Sequence, residues 1–201
     1  FVWNAEGSLF GGMYRSNALF VFEKNVLNLG AFLISLQSFN WLKQHKHAPE
    51  FYMLLLSSLM GMQFLISSQH LLMFYLSLEL STIPLAALVN FDLEKKRSSE
   101  AAMKMIFSSA FASGLLLFGI SMFYGTTGTL VFNELADKLT GTPLQIFSFV
   151  LIMAGFGFKI SAVPFHLWTA DVYEGAPVAV TSFLSVLSKG SLLFVLVPFL
   201  T

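Results

Sequence analysis

The sequence predicts an all-α, polytopic membrane bundle of about six transmembrane helices. Of its 201 residues, 56% are hydrophobic and only 11% are charged, whereas about a quarter of the residues in soluble domains are charged. The hydrophobic residues form runs of about 20, the length that a helix needs to cross a bilayer core of ~30 Å. No run alternates with a period of two, so the sequence predicts helices and not the strands of a membrane barrel.

The first predicted span, residues 18–42, is the least apolar because it contains Glu23 and Lys24. The other five spans are predicted over residues 51–67, 70–91, 101–124, 144–163 and 177–200. Residues 1–17 are mixed in composition and predict an extramembrane approach. We expect one membrane domain over residues 1–201. We also expect a piece of a longer chain, because the sequence starts with Phe and ends directly after an apolar run.

The basic residues predict the orientation of these spans. Counting crossings puts the connections 43–50, 92–100 and 164–176 on one side, and the first two are rich in Lys and Arg. The positive-inside rule makes that side cytoplasmic. The KQHKH run could be a metal or anion site, but a solvated cytoplasmic loop explains it more simply.

Charge and cysteine content exclude several functions. Eleven basic and eleven acidic residues give no net charge, so no nucleic-acid partner is implied. The sequence contains no cysteine, which excludes disulfides and Cys-ligated clusters. Nothing in it indicates a cofactor or metal site in this chain.

Ionisable side chains inside the predicted spans are the strongest functional signal. Glu79 lies in the middle of the third span, and Lys159 and Lys189 stand within the fifth and sixth. A charge at the bilayer centre costs ~2.5–3.5 kcal/mol on insertion scales, so such residues usually face a protein interior or a water path. Glu79 needs a nearby cation to stay ionised, and Lys104 and Lys159 are the candidates. Alternatively, Glu79 is a neutral acid that joins helices, and Lys104 and Lys159 reach back to the interface.

Polar neighbours extend this pattern. Thr82 lies one helical turn from Glu79, while Ser182 and Ser185 precede Lys189 at helical spacing. Such a stripe can hold water, although small hydroxyl residues also simply pack helices together.

The fifth span carries a predicted helix break. Pro164 cannot donate a hydrogen bond to the carbonyl of Ile160, so the helix should break directly after Lys159. Broken helices at mid-depth are typical of transporters, although Pro164 could also just end the helix. His166 could relay protons, or bond a carbonyl at the interface.

Three runs carry a family resemblance: LELSTIPLAALVNF, EAAMKMIFSSAFASGLLLFGISMFYGTTGT and FKISAVPFHLWTADVYEGAPVAVTSFLSVLSK. They resemble the antiporter-like subunits of respiratory complex I, the NADH:quinone oxidoreductase. In that family a glutamate on the fifth helix pairs with a lysine on the seventh, and a lysine on the eighth carries protons onward. The matching residues are Glu79, Lys159 and Lys189, and Lys104 matches a further lysine on the sixth helix. Ala170 departs from the family's usual Pro.

The resemblance implies a fold of fourteen helices built from two inverted five-helix repeats. This chain resembles the third to eighth helices, with the first repeat over residues 51–200. The implied function is proton translocation driven by redox chemistry in other subunits, which would hold NADH, FMN, iron-sulfur clusters and quinone. Implied partners are other complex I membrane subunits, including neighbouring antiporter-like subunits, in the bacterial inner membrane. The alternatives are a cation/proton antiporter subunit of the Mrp type and a passive membrane scaffold.

Overall fold

Six long helices form the body of the protein. The computed structural model describes residues 6–43 and 45–197. The long helices are α1 (Ala18–Leu42), α2 (Ala48–Ile66), α3 (Leu71–Val89), α4 (Lys96–Thr127), α6 (Pro143–Ile160) and α8 (Val178–Leu196). Each is long and apolar enough to cross a membrane. The predicted polytopic helix bundle is confirmed.

Five shorter elements complete the described chain, including a 3₁₀ turn at Phe10–Gly12 between the two strands. Strands β1 (Gly7–Leu9) and β2 (Tyr14–Ser16) pair antiparallel, and helices α5 (Phe132–Lys138) and α7 (Leu167–Gly175) lie between long helices. The hairpin lies in the stretch predicted as an extramembrane approach, of which residues 1–5 fall outside the described residues. We call the end of the bundle with this hairpin, the α2–α3 turn and α5 the hairpin face. Backbone hydrogen bonds connect these segments, from the N–H of Arg15 to the carbonyl of Ser67 (2.9 Å) and from Phe132 to Gln69 (3.1 Å).

The opposite end carries the predicted basic connections. His45 lies 3.6 Å from Asp92, and Arg97 forms an ion pair of 3.2 Å with Glu174, so side-chain contacts join the chain around 45, 92–97 and 174. We call this end the basic face. The segment 164–176 is not the simple loop that the sequence predicted, because most of it forms α7.

Several helix ends differ from the predicted spans. Helix α4 begins five residues earlier than predicted, at Lys96, and α2 begins at Ala48 with Pro in its first turn. Hydropathy finds the part of a helix that lies in lipid, whereas helix ends depend on caps and on charged residues that favour helix outside the membrane. Residues 198–200, predicted as the end of the last span, lie outside the described residues.

Glycines let the helices around the site approach closely. A Cβ on Gly61 of α2 would lie 2.5 Å from the backbone nitrogen of Ser81 in α3. A Cβ on Gly155 of α6 would lie 2.8 Å from the carbonyl oxygen of Ala112 in α4. Small residues at such crossings are typical of membrane helices, which associate mainly by close packing. These contacts fix α3 and α6 against their neighbours.

The predicted break after Lys159 is confirmed, and its local cause is a left-handed residue. Helix α6 ends at Ile160, and Ser161 follows with φ of 66°. The N–H of Ala162 donates to the carbonyl of Gly157 (2.8 Å), which closes the helix end. Pro164 lies exposed in the turn that follows. The chain then runs along the first turns of α4 as α7, where a Cβ on Gly175 would lie 2.7 Å from the carbonyl of Arg97.

Helix α8 is irregular in its middle. Residues Val178–Ser182 are α-helical, Phe183–Ser188 form a π-helical segment, and Lys189–Leu196 are α-helical again. A π segment interrupts the 3.6-residue period, and such segments are frequent at functional sites. Lys189 directly follows it.

Candidate functional site

The centre of the site is an ion pair between α3 and the broken end of α6. The Lys159 ammonium lies 3.3 Å from Oε1 of Glu79. The Lys159 side chain is only 6% exposed, and that of Glu79 is 25% exposed. The same ammonium donates hydrogen bonds to the hydroxyls of Ser109 (2.6 Å) and Thr82 (3.5 Å). Of the two lysines that could neutralise Glu79, the structure therefore brings Lys159 to it.

Helix α4 contributes two hydroxyl groups to this pair. Ser113 lies one turn after Ser109 and donates a hydrogen bond to Oε1 of Glu79. That carboxylate oxygen therefore accepts from both the Ser113 hydroxyl and the Lys159 ammonium. Charged groups buried in low dielectric need such hydrogen bonds to offset lost hydration.

Lys189 occupies the broken end of α6. Its ammonium donates to the backbone carbonyl of Lys159 (2.8 Å) and to the Ser161 hydroxyl (2.5 Å). It also lies 4.8 Å from the centroid of the Trp168 ring, within cation–π range. The last carbonyls of a helix have no intrahelical partners and carry partial negative charge, so the break provides a binding position for a cation.

A small cavity connects the two lysines. Its volume is about 20 Å³, which is enough for about one water molecule. Apolar side chains form much of its wall. Its polar lining consists of Ser81, Thr82, Ser109, Lys159, Trp168, Ser188, Lys189 and Ser191.

Lys104 does not pair with Glu79, contrary to one of the two alternatives that the sequence left open. Its ammonium lies 2.7 Å from Glu100 and 2.8 Å from Asp171, and its side chain is 43% exposed. Position 104 lies five residues before Ser109, which on a helix is ~7.5 Å along the axis and ~140° around it. Lys104 therefore faces α7 near the basic face and not the ion pair.

The prediction that Ser182 and Ser185 form a polar stripe leading to Lys189 is wrong. The hydroxyls of Ser182 and Ser185 donate to carbonyls of their own helix, at 3.0 Å and 3.3 Å, and Ser185 is exposed. Ser188 and Ser191 line the cavity instead. The prediction assumed a 3.6-residue period, which the π segment interrupts.

His166 lies away from the central cavity. It occupies the N-cap position of α7, it is exposed, and within the described residues its side chain makes no capping hydrogen bond. The structure therefore does not bring it to the two lysines.

Sequence reasoning missed the four residues other than Thr82 whose side chains contact the three buried charged groups directly. Ser109 and Ser113 share a helix face because they are four residues apart, but the serines of α8 gave the same kind of signal. Ser161 and Trp168 gave no such signal, because their position depends on the turn after the break. Within residues 6–43 and 45–197, no three His, Asp or Glu side chains are arranged to hold a metal ion.

Comparison with known proteins identifies the family. A family model described as "NADH:quinone oxidoreductase/Mrp antiporter, TM" matches residues 68–201, which include the whole site. The chain belongs to this family. The resemblance seen in the sequence is thereby confirmed.

Curated relatives within the NADH:quinone oxidoreductase/Mrp antiporter family match nearly the whole chain. NADH-quinone oxidoreductase subunit N of Phocaeicola vulgatus is 51% identical over 199 residues, covering 97% of this chain and 42% of the relative. The protein of the same name from Azobacteroides pseudotrichonymphae is 46% identical, covering 95% of this chain and 40% of the relative. The chain thus spans about two fifths of the length of these relatives.

Solved structures agree with the fold of this family. The chain matches one in respiratory complex I from Thermus thermophilus with bound aureothin, with a TM-score of 0.82 and 31% identity, covering 96% of this chain and 42% of the other. A chain of the membrane-bound sulfane sulfur reductase, an archaeal respiratory membrane complex, matches with a TM-score of 0.74 and 26% identity. The match covers 87% of this chain and 35% of the other.

Proposed function

We propose that this chain forms part of a proton-translocating membrane subunit of an NADH:quinone oxidoreductase. Protons would move through a buried path of glutamate, lysine and water, driven by redox chemistry in other subunits. The observation that carries the proposal is the buried contact of 3.3 Å between Lys159 and Glu79, directly at a helix break.

Three buried residues would carry out the central proton transfer, and Lys104 would connect them to the basic face. Lys189 donates to the backbone carbonyl of Lys159, so both ammonium groups belong to one site. While Glu79 balances the charge of Lys159, Lys189 can hold its own proton. When Glu79 moves away, two like charges remain in a low-dielectric site and repel each other. Lys189 then releases its proton, and it reloads once the Glu79–Lys159 pair forms again.

The remaining site residues take supporting roles in this proposal. Thr82 holds the Lys159 ammonium, and Ser188 and Ser191, which line the cavity, take the place of the predicted Ser182 and Ser185. Lys104, with Asp171 and Glu100 beside it, would pass protons between the basic face and the buried pair. Pro164 and the exposed His166 lie on the turn that carries the chain from α6 to α7.

The chain would be one part of a larger membrane complex. Residues 51–200 would form the first antiporter-like repeat, and the rest of the longer protein would supply the second. NADH, FMN, iron-sulfur clusters and quinone would bind to partner subunits, and neighbouring antiporter-like subunits would contact this one. The membrane would be a bacterial inner membrane, with the basic face in the cytoplasm.

A cation/proton antiporter subunit of the Mrp type is the weaker candidate. The family description covers both kinds of protein, but the relatives from Phocaeicola and Azobacteroides both carry the oxidoreductase name. Purification of the full-length protein with its partners separates the two candidates. Co-purifying peripheral redox subunits support the first, and a set of antiporter subunits alone supports the second.

Substitution of Glu79 by Gln tests the proposed site. In assembled complex in membrane vesicles, Glu79→Gln should reduce proton pumping about a hundredfold, the lower end of what a positioned proton-transfer group contributes. Glu79→Asp should retain part of the activity because it keeps the charge. Glu94→Gln changes an exposed carboxylate on the basic face and should pump like wild type. Wild-type pumping by assembled Glu79→Gln complex would show that the ion pair is not required.

A further inference from the structure

Two serines of α4 form hydrogen bonds with the charged groups of the ion pair itself. The Ser109 hydroxyl accepts a hydrogen bond from the Lys159 ammonium, and the Ser113 hydroxyl donates one to Oε1 of Glu79. Oε1 is also the oxygen that faces Lys159. One serine therefore binds the cation and the other binds the anion.

The distances show where the ammonium lies. Charge-assisted hydrogen bonds between nitrogen and a carboxylate are typically about 2.7–2.9 Å long. The Lys159–Glu79 distance is 3.3 Å, whereas the Lys159–Ser109 distance is 2.6 Å. The ammonium thus lies closer to a neutral hydroxyl than to its counter-ion, in a site where lost hydration should favour the ion pair.

The hydrogen bonding of Ser113 differs from that of most serines inside membrane helices. Such hydroxyls usually donate back to the carbonyl three or four residues earlier in their own helix. Ser57 and Ser77 follow this rule, with hydrogen bonds of 2.8 Å to Met53 and 2.7 Å to Met73. Ser113 donates across to α3 instead. Its hydroxyl is therefore committed to the carboxylate and not to its own helix.

From this geometry we infer that Ser109 and Ser113 are positioning residues that hold the Glu79–Lys159 pair loosened. Ser109 offers the ammonium a second position, and Ser113 occupies part of the carboxylate. Together they set how readily Lys159 separates from Glu79 in each cycle. The inference rests on the proposed function, because it concerns the same ion pair.

Substitutions at Ser109 test the cation side. In the assembled full-length complex in vesicles, Ser109→Ala removes the hydroxyl that binds the Lys159 ammonium. The ammonium should then pair more closely with Glu79, and the separation of Lys159 from Glu79 should slow. We expect pumping to fall about tenfold, since a hydrogen bond to a charged group is being removed. Ser109→Thr keeps the hydroxyl and should restore most of the rate. Ser108→Ala is the matched control, because within the described residues the Ser108 hydroxyl bonds neither member of the pair.

Substitutions at Ser113 test the anion side with a spectroscopic signal. The infrared carboxylate stretch of Glu79, identified by its loss in Glu79→Gln, should shift in Ser113→Ala and return in Ser113→Thr. In the Glu79→Asp background the carboxylate is withdrawn from α4, so Ser113→Ala should have little further effect on pumping. Such non-additivity is expected when one residue acts through another.

The outcomes separate this inference from the proposed function. If Glu79→Gln abolishes pumping while Ser109→Ala and Ser113→Ala pump like wild type, the serines do not position the pair and only this inference fails. If Ser108→Ala slows pumping as much as Ser109→Ala, the effect is general helix packing and the inference also fails. If Glu79→Gln pumps normally, the proposed function itself fails.

Discussion

The Lys189 ammonium is bound by groups that are available because α6 ends after Ile160. In an intact helix the carbonyl of Lys159 would accept from a backbone N–H one turn later, and no acceptor would face the lysine. Here the Lys189 ammonium donates a hydrogen bond of 2.8 Å to that carbonyl and another to the Ser161 hydroxyl. The break therefore turns a backbone group into part of the charged site.

Arginine at this position distinguishes a proton carrier from a fixed cation. Arginine keeps the positive charge but does not deprotonate in proteins. If Lys189 carries protons, assembled Lys189→Arg complex should lose about a hundredfold in pumping, as Lys189→Met should. Lys138→Arg, on the exposed end of α5, is the matched control and should pump normally. Proton uptake in vesicles measures the pumping of each variant directly. Near-wild-type pumping by Lys189→Arg would rule out the carrier role.

At the residue scale, the sequence predicted the charged groups better than their hydroxyl partners. Glu79 and Lys159 stand out because ionised side chains are rare inside apolar spans. Serine is common there and usually bonds its own helix, so Ser109 is hard to distinguish from Ser182 without the fold. The choice between them depends on the tertiary contacts of α4 and on the π segment of α8.

At the scale of elements, the close crossing of α4 and α6 positions the lysine. A Cβ on Gly155 would lie 2.8 Å from both the Ala112 carbonyl oxygen and Leu116 Cβ, too close for either to stay in place. Because α6 ends five residues after Gly155, any shift there moves Lys159 relative to Glu79. The packing and the ion pair are thus coupled through one short stretch of helix.

Gly155→Ala should therefore destabilise the protein and impair the site together. Overpacking of this kind costs about 1–3 kcal/mol. Gly114→Ala is the matched control, because a Cβ there meets nothing within 4 Å and alanine favours helix. Thermal unfolding of the purified complex should show a lower midpoint for Gly155→Ala only. Equal midpoints for the two variants would contradict the close-packing argument.

The helix break shows what the sequence could and could not predict about elements. Pro164 correctly predicted a break after Lys159, but the helix already ends at Ile160, four residues before the proline, where the left-handed Ser161 follows. A left-handed serine has no strong sequence signature, because this conformation usually falls to Gly or Asn. The π segment Phe183–Ser188 is similarly hidden in an ordinary apolar pattern.

At the scale of the whole molecule, the two ends of the bundle are built differently. On the basic face, exposed ion pairs such as Arg97–Glu174 join separate connections. On the hairpin face, backbone hydrogen bonds join β2, the α2–α3 turn and the start of α5. The number of crossings could be predicted from hydropathy alone, because each span must satisfy its backbone inside lipid. The backbone pairing on the hairpin face could not, because it depends on contacts between distant segments.

Cysteine labelling tests the arrangement of these two ends across the membrane. Glu94 is exposed on the basic face and Asp137 is exposed on α5 at the hairpin face. The 201 residues contain no cysteine, so Glu94→Cys and Asp137→Cys can each be introduced singly once any cysteine elsewhere in the full-length protein is replaced by serine. The positive-inside rule predicts that Lys95, Lys96 and Arg97 lie in the cytoplasm. An impermeant thiol reagent added to inverted vesicles should therefore label Glu94→Cys, and added to intact spheroplasts it should label Asp137→Cys. Labelling of both cysteines from the same side would contradict the six-crossing topology, and a reversed pattern would contradict the cytoplasmic assignment of the basic face alone.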